Sequence, residues 1–402
     1  VTMLQQNDPV SEQPTTQDPY PRYEQLRTED PVHWNDGAQV WILTRYQDVL
    51  DAFRDPRLSS TGISAVMQKA GGREGVKDLE RIFLDMMLFS DPPDHTRLRS
   101  LANKAFTPRV LERMRSQIQD AVDHLLDDVQ ERGSMEVVSE LAYPLPAMVI
   151  NEILGVAEGD RKTFKKMSND IATFAGYIRE AEENVGPVIQ SMANLKEFLR
   201  KTAALRRTEP KDDLLSALVA AEDQGDSFSE DELYSMCAML IFAGHETTTN
   251  LIGNGILALL QYPSELELLQ QDSTLLESAV EEVIRYTGPV QAISRIALED
   301  LQIRDKQIAK GERISMNIGS ANRDPAQFSD PDRFDIQRNE GRHLGFGFGI
   351  HFCLGAALAR MEGQAVIGSV VRRFRQLRLE EPGLEWRSHP VLRGLKTLPV
   401  TF

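Results

Sequence analysis

The stretch His343–Arg360, HLGFGFGIHFCLGAALAR, gathers residue types that could hold a soft metal. Cys353 sits among Gly345, Gly347, Gly349 and Gly355. Glycine lets a backbone turn tightly and approach another group closely. A helical pattern, AALARMEGQAVIGSVVRRF, starts just after, and the free N–H groups at a helix start favour a thiolate. A lone cysteine is ordinarily a small buried core residue; here the glycines, with Phe346, His351 and Arg360, point to a ligand. A second stretch, AGHETTTN (Ala243–Asn250), sets Gly, Glu and Thr in a helix whose core side carries Met236, Met239, Leu240 and Phe242. Gly244 costs about 1 kcal/mol there relative to Ala. A Thr hydroxyl can bond back to the i−4 carbonyl and bend the helix, and Glu246 is expensive to bury unpaired. The plain alternative is an exposed polar stripe. In SAVEEVIRY, Glu282 and Arg285 are three apart and meet on one helix face, as His95 and Arg99 do at a spacing of four.

These residues need helices to carry them. Residues 1–19 read as a loose, Pro-rich arm, and 20–402 as one domain. PRYEQLRTEDPVHW predicts a helix and turn, and VWILTRYQDVLDAFRD a strand followed by a helix, hence a small sheet near the N-terminus. The connection 57–90 lacks a clean period, which marks it as functional or mobile. Pro92–Pro93 start a helix with Asp94 in its first turn. From 108 to 222 the pattern predicts helix throughout, interrupted at Gly133, at Gly155 and near Phe174, Gly176 and Tyr177. Ser229 begins S-E-D-E, a capping box, for a helix of about thirty residues reaching Tyr262–Pro263. Another helix covers about 272–287, and 290–318 alternates as short strands. The class is mostly α, with a few strands (α+β).

Composition narrows the function. Of 402 residues, 41% are hydrophobic and 26% charged, as in ordinary globular proteins. The net charge of −16, from 45 basic and 61 acidic residues, disfavours nucleic acid as a partner. Cys237 and Cys353 lie in unrelated contexts, which excludes a disulfide scaffold and suits a reducing cytoplasm. No apolar run of about 18 residues predicts a membrane span, and the first residues lack the pattern of a signal peptide.

FGFGIHFCLG resembles the haem-binding loop of the cytochromes P450, FxxGxxxCxG, at Phe346, Gly349, Cys353 and Gly355. The resemblance covers roughly residues 20–402 and is closest to the soluble bacterial members. It implies the cytochrome P450 fold, with haem b bound through Cys353 thiolate, a ligation that favours O–O cleavage. Phe346 should pack over the sulfur and exclude water. AGHETT is similar to the family's oxygen-binding groove, [AG]-G-x-[DE]-T. That likeness puts Gly244 beside O2 and makes Glu246 and Thr247 the acid–alcohol pair that relays protons. Many members carry Asp where this chain has Glu246. His245, one position earlier, should face away. Glu282 and Arg285 match the family's ExxR ion pair, with Arg333 of PDRF as its third member. His95, Arg99, Arg295 and His351 match the groups that hold the haem propionates.

By the same resemblance the substrate pocket draws on the 57–90 connection, the 165–185 break, Met239, Phe242, Ala243, Val290, Gln291, Ile293 and the turn near Leu392–Leu395. Most of these are apolar, which suits a hydrophobic small molecule, and Gln291 would add a polar handle. The implied activity is insertion of one O2-derived oxygen into a C–H bond, or a C=C bond, of that molecule. No Gly-rich G-x-G-x-x-G fingerprint follows a strand, so electrons must come from a separate ferredoxin or flavodoxin with its NAD(P)H reductase. Arg97, Arg360, Arg372 and Arg373 are candidates for a basic patch facing that acidic partner. The protein should be a cytoplasmic monomer with no membrane and no nucleic-acid partner. An H2O2-driven peroxygenase and a non-catalytic haem-binding, sensing or recruitment protein are the alternatives; the acid–alcohol pair speaks against the first and Cys353 against an inactive domain.

Overall fold

The computed structural model describes residues 18–62, 81–161, 163–164, 166–168, 170, 185–223, 225–380, 384–389 and 391–402. Most of the first-residue arm, the centre of the 57–90 connection and most of the 165–185 break lie outside these residues.

One helix, Glu230–Gln261, runs through the middle of the protein. Its start is set by the predicted capping box: the Glu232 N–H donates to the Ser229 hydroxyl at 3.3 Å, and the Ser229 N–H donates to the Glu232 carboxylate at 2.8 Å. Glu230, Asp231 and Glu232 place negative charge on the positive dipole end. Pro263 then ends the helix by opening the next one, Pro263–Gln271. Around this central helix pack Pro108–Gln130, Pro144–Ile153, Val185–Thr208, Leu276–Thr287 and Ala356–Arg373. Their apolar faces form the main core, with Ile118, Val122, Leu141, Ile241, Ile252, Ile256 and Val366 fully buried.

Among the described residues a five-stranded sheet lies beside the helices. Its spatial order is Val32–Asn35, Val40–Leu43, Arg313–Asn317, Ala292–Ala297 and Leu58–Ser59, all antiparallel neighbours except Val40–Leu43 with Arg313–Asn317. The strands expected near the N-terminus join Ala292–Ala297 and Arg313–Asn317 in that sheet, while Leu301–Ile303 and Lys306–Ile308, also within 290–318, pair with each other. The helix after the prolines starts at Asp94, with Pro93 as its N-cap. Expectation and structure differ within the run read as helix. Within 108–222, Ser134–Glu136 is a strand, paired antiparallel with the C-terminal strand Pro399–Thr401. Gly133, at φ 68°, reverses the chain out of the preceding helix, and a local helical pattern cannot reveal a pairing partner more than 260 positions away.

The helix after Cys353 carries a buried carboxyl, Glu362, that is 3% exposed and whose Oε2 has no hydrogen-bond partner. Burial raises its pKa to about 8. A folded-state pKa above the unfolded value makes the folded chain hold this proton longer, so stability falls as pH rises from the unfolded pKa, about 4.3, towards 8. Thermal midpoints measured from pH 5 to 8 should therefore drop less steeply for Glu362→Gln than for the wild type. The difference should be up to about 1.4 kcal/mol per pH unit. Parallel profiles would show that Glu362 keeps an ordinary pKa.

Candidate functional site

The cysteine loop is shaped by backbone before side chains matter. Gly347 and Gly349 lie at φ 68° and 71°, and a Cβ on Gly349 would come within 2.8 Å of the Phe53 carbonyl. The turn is closed by the Cys353 N–H, which donates to the Phe346 carbonyl at 3.0 Å. Beyond Cys353, a Cβ on Gly355 would meet no atom within 4 Å. Burial pushes the Cys353 thiol up, and the Gly355 N–H, Arg99 and Arg360 draw it back down. Phe346 packs against Arg360, whose guanidinium lies 4.4 Å from the ring centroid. Arg360 is held in turn by a bidentate pair to Glu281 at 2.6 and 2.8 Å, and His343 contacts the same carboxylate at 3.1 Å.

On the central helix a short stretch is open in an otherwise buried run. Ala243 is exposed, and Phe242, Gly244, Glu246 and Thr247 are half-buried, while Ile241, His245, Thr248 and Thr249 are buried. A Cβ on Gly244 would meet only Ile150, at 3.9 Å. The Thr247 hydroxyl donates to the Ala243 carbonyl at 2.5 Å, the i−4 bond that bends helices. Burial raises the Glu246 pKa, and Arg387, 3.9 Å away, opposes that rise. His245 faces away, with Nε2 3.1 Å from the Tyr143 carbonyl and its ring against Tyr143.

Four cationic or imidazole groups converge beside the cysteine loop. His95 is 1% exposed, and among the described residues neither ring nitrogen has a hydrogen-bond partner. Its ring lies 4.1 Å from that of His351. Arg99 donates to the Phe352 carbonyl at 2.7 Å, and buried Arg295 donates only to the neighbouring Ser294 carbonyl. Burial, then Arg295, His95 and Arg99, lower the His351 pKa to about 3, and burial lowers that of Arg295 to about 10. Asp91 is the acid whose charge acts on this set, and its oxygens accept hydrogen bonds from the Ser59 hydroxyl and the Ser60 N–H. Two buried arginines against one carboxylate, beside two imidazoles that burial keeps neutral, call for anionic ligand groups. The two propionates of a haem would meet that demand, so the residues present fit the group.

Behind the loop lies a buried ion network. Arg285 donates to both oxygens of Glu282 at 2.7 and 2.8 Å, and to the carbonyls of Asn322, Pro331 and Arg333. Its third member is Arg338, not Arg333. The Arg338 Nε donates to Glu282 at 3.3 Å, and its side chain is 6% exposed. Arg333 turns its side chain outward, 62% exposed, and contributes only its carbonyl. The reason is its neighbour: Phe334 buries its ring against Tyr262 and Tyr286, which turns Arg333 outward. The signal that could have found Arg338 was a second arginine five positions downstream.

The pocket residues divide. Phe242 meets Phe83 and Phe89 edge-on at 5.7 and 6.3 Å, with Met239 buried nearby on the same helix. Leu392 pairs with Val290 in an antiparallel bridge, and Val290 and Ile293 pack against the core of the sheet. Leu395 is 1% exposed and belongs to the main core. Gln291 offers no polar handle. Its amide donates back to the Gly288 carbonyl at 2.7 Å, and its Oε1 lies so close to Gly319 that a Cβ there would clash at 2.2 Å. Alternation along an extended segment sends Gln291 to the side opposite Val290. The proposed basic patch is also dispersed. Arg97 pairs with Glu232 and Asp226, Arg360 with Glu281, and Arg373 with Asp123 and Asp127, while Arg372 donates to the Ser369 hydroxyl. Sequence reasoning missed Arg338, the Glu281–His343 clasp, Asp91 and Arg387.

A family model described as "Cytochrome P450" matches residues 65–385. "Polyketide biosynthesis cytochrome P450 PksS" of Bacillus subtilis is 40% identical over 386 residues, covering 94% of each chain. "Cytochrome P450 107B1" of Saccharopolyspora erythraea is 41% identical over 398 residues, covering 96% of this chain and 95% of its own. Among solved structures, CYP109E1 of Bacillus megaterium in complex with testosterone superposes with a TM-score of 0.86 at 33% identity, covering 96% of this chain and 99% of that one.

The ion network predicts an asymmetry between two arginines in one loop. Chemical denaturation should show Arg338→Met destabilised by about 3–5 kcal/mol, because it leaves Glu282 buried with less compensation. Arg333→Ala should stay within about 0.5 kcal/mol of the wild type. Equal losses would restore Arg333 to the network.

Proposed function

This chain belongs to the cytochrome P450 family, and we propose from that premise which residues do which work. It is a haem-thiolate monooxygenase that inserts one atom of O2 into a hydrophobic small molecule, using electrons from a redox partner. Haem b, bound through a cysteine thiolate, supplies O2 binding and O–O cleavage. Cys353 is the ligand. Burial alone disfavours its thiolate, so the Gly355 N–H and the charges of Arg99 and Arg360 act together with a metal to keep it ionised. Phe346, clamped by Arg360 and Phe352, shields the sulfur from water. His95, Arg99, Arg295 and His351 bind the two carboxylates.

Glu246 and Thr247 hold and move protons. Its raised pKa lets Glu246 keep a proton to give. Thr247 donates its own hydrogen to the Ala243 carbonyl, which leaves its oxygen free to accept. Gly244 keeps the helix face between them narrow. Phe242, Met239, Val290, Ile293 and Leu392 line an apolar chamber, in which Phe83 and Phe89 extend the wall. That lining, without Gln291, suits a bulky apolar substrate that is polycyclic or polyketide-derived. The name of the Bacillus subtilis relative and the testosterone bound by CYP109E1 support this class.

The observation that carries the reading is the unneutralised cluster of His95, Arg99, Arg295 and His351 beside Cys353. The reduced CO complex tests it. The wild type should show the red-shifted Soret band of thiolate ligation, and Cys353→Ala should lose it. Thr247→Ala should keep the band yet direct most reducing equivalents to peroxide, read as NAD(P)H consumed per product. Full coupling in that variant would remove the alcohol from the relay.

The electron donor is a ferredoxin or flavodoxin served by its NAD(P)H reductase, with the enzyme a cytoplasmic monomer of a single domain, residues 20–402. The docking face we favour is the exposed side of the cysteine loop. There Ile350 is 53% exposed, and Arg54 and Arg342 flank Phe348 at 4.5 and 5.0 Å. Among the described residues neither arginine forms an ion pair, unlike three of the four expected from the sequence. In stopped-flow reduction by an acidic ferredoxin at low salt, Arg342→Glu should slow the reaction by about tenfold and flatten its salt dependence. Arg97→Glu should change it less than about twofold. The reverse order would move the docking face to Arg97.

A further inference from the structure

The relay acid is tied to a part of the chain remote from the haem loop. Glu385–His389 and Val391–Lys396 pair as the two arms of a hairpin: the Arg387 N–H donates to the Gly394 carbonyl and the Lys396 N–H to the Glu385 carbonyl, both at 2.8 Å. This hairpin lies along one stripe of the central helix, at positions i, i+4 and i+8. Arg387 meets Glu246, with Nη1 3.9 Å from Oε1. Gly394 meets Asn250 so closely that a Cβ would lie 1.9 Å from Oδ1. The Asn254 amide donates to the carbonyls of Arg393 and Thr287, both at 3.0 Å. Asn250 is 2% exposed, and neither of its amide atoms has a hydrogen-bond partner. The stripe is therefore polar along its length inside an apolar bundle.

The other edge of the hairpin is fixed to the substrate side. Arg393 N–H donates to the Pro289 carbonyl at 2.8 Å, Gln291 N–H donates to the Val391 carbonyl at 2.7 Å, and Leu392 bridges Val290. Only four residues thus separate Arg387, the cation at the acid, from Leu392, the apolar side chain at the proposed pocket. Arg387 is anchored by its Nε, which donates to the Leu395 carbonyl at 3.1 Å, so its position follows that of the hairpin.

We propose that Arg387 is the positioning residue of Glu246, and that this hairpin, which also holds Leu392 at the proposed substrate side, sets where its guanidinium stands. With the guanidinium in place the carboxylate is favoured, and with the hairpin displaced the acid keeps its proton. Arg387 from the hairpin and Tyr143 from the segment before Pro144–Ile153 are the groups coupled to Glu246, with Asp170 acting on Tyr143 from beyond, while His245 on the same helix turns to Tyr143. Arg387 is the cation of that group, so its removal has one sign. The Glu246 pKa rises, and the ionised fraction at a given pH falls.

This inference rests on the relay role of Glu246, and the experiment separates the two. The protonated carboxyl of Glu246 is followed by infrared difference spectroscopy in the haem-loaded protein, its band identified by loss in Glu246→Gln. Arg387→Met should raise the titration midpoint by about one pH unit, a tenfold change in the ionised ratio. Arg387→Lys should restore most of it. Arg387→Gln, which keeps a donor for the Leu395 carbonyl, should shift as Arg387→Met does. Product coupling should fall over the same pH range with KM unchanged, and Arg387→Met should add nothing in the Glu246→Gln background. An unmoved midpoint in Arg387→Met and Arg387→Gln overturns the inference. Full coupling in Glu246→Gln alone overturns the relay role beneath it, whatever Arg387 does.

Discussion

The buried ion pair of Glu282 and Arg285 is the constraint on which the site depends. Two charges removed from water are costly, and they are tolerated because nearly every polar atom is used. Arg285 closes on the carbonyls of Asn322, Pro331 and Arg333, while Glu282 also accepts from the Asp335 N–H and from Arg338. One helix residue pair thereby fixes three points of an irregular loop. Asn322 passes that order on, because its Oδ1 accepts from the Leu344 N–H at 2.7 Å, the residue just before the glycine turn. Gly345 then packs so closely on Ile284 that a Cβ would clash at 2.4 Å. The cysteine loop is thus registered against the Leu276–Thr287 helix by hydrogen bonds and contact, not by its own flexible glycines.

The opposite constraint holds at the cluster of His95, Arg99, Arg295 and His351. There the buried polar groups are under-compensated among the described residues: neither His95 ring nitrogen has a hydrogen-bond partner, and Arg295 donates to its neighbour's carbonyl alone. His351 responds by giving up its proton, with its pKa lowered to about 3 by burial and by the nearby arginines. A ligand with two carboxylates relieves that cost, so binding it contributes to the stability of the folded chain by mass action. The protein is built as two electrostatic halves. One is complete within the chain and holds the loop in place; the other is where we propose that the anionic groups of the cofactor bind.

Legibility in the sequence followed the range of each interaction. Local devices were readable: the Ser229 capping box, the Glu282–Arg285 spacing and the glycines of the cysteine loop each depend on neighbours within about one turn. What failed to read depended on partners far along the chain. Ser134–Glu136 is a strand because Pro399–Thr401 lies beside it. Arg338 displaces Arg333 because Phe334 needs burial against Tyr262 and Tyr286. Gln291 leaves the pocket because Gly319 offers its amide a close fit on the other side. Charge alone also misled: Arg97, Arg360 and Arg373 look like a patch in composition, but each is matched by carboxylates brought in by folding.

The central helix reconciles these demands by giving each face a different task. Ala243 and Gly244 present small side chains to the open region, and Thr247 spends its hydroxyl hydrogen within the helix. His245 and Thr249 turn inward, to Tyr143 and to the helix backbone. Glu246, Asn250 and Asn254 look to the C-terminal hairpin. An acid placed on the open face would be solvated and ordinary; placed in the core it would be neutral and inert. Between the two, with one cation at 3.9 Å, it is buried enough to have a raised pKa and close enough to that charge for the rise to be opposed. The irregular composition of AGHETTTN follows from this position, because a helix with one uniform face could not hold a half-buried acid between an open stretch and an apolar core.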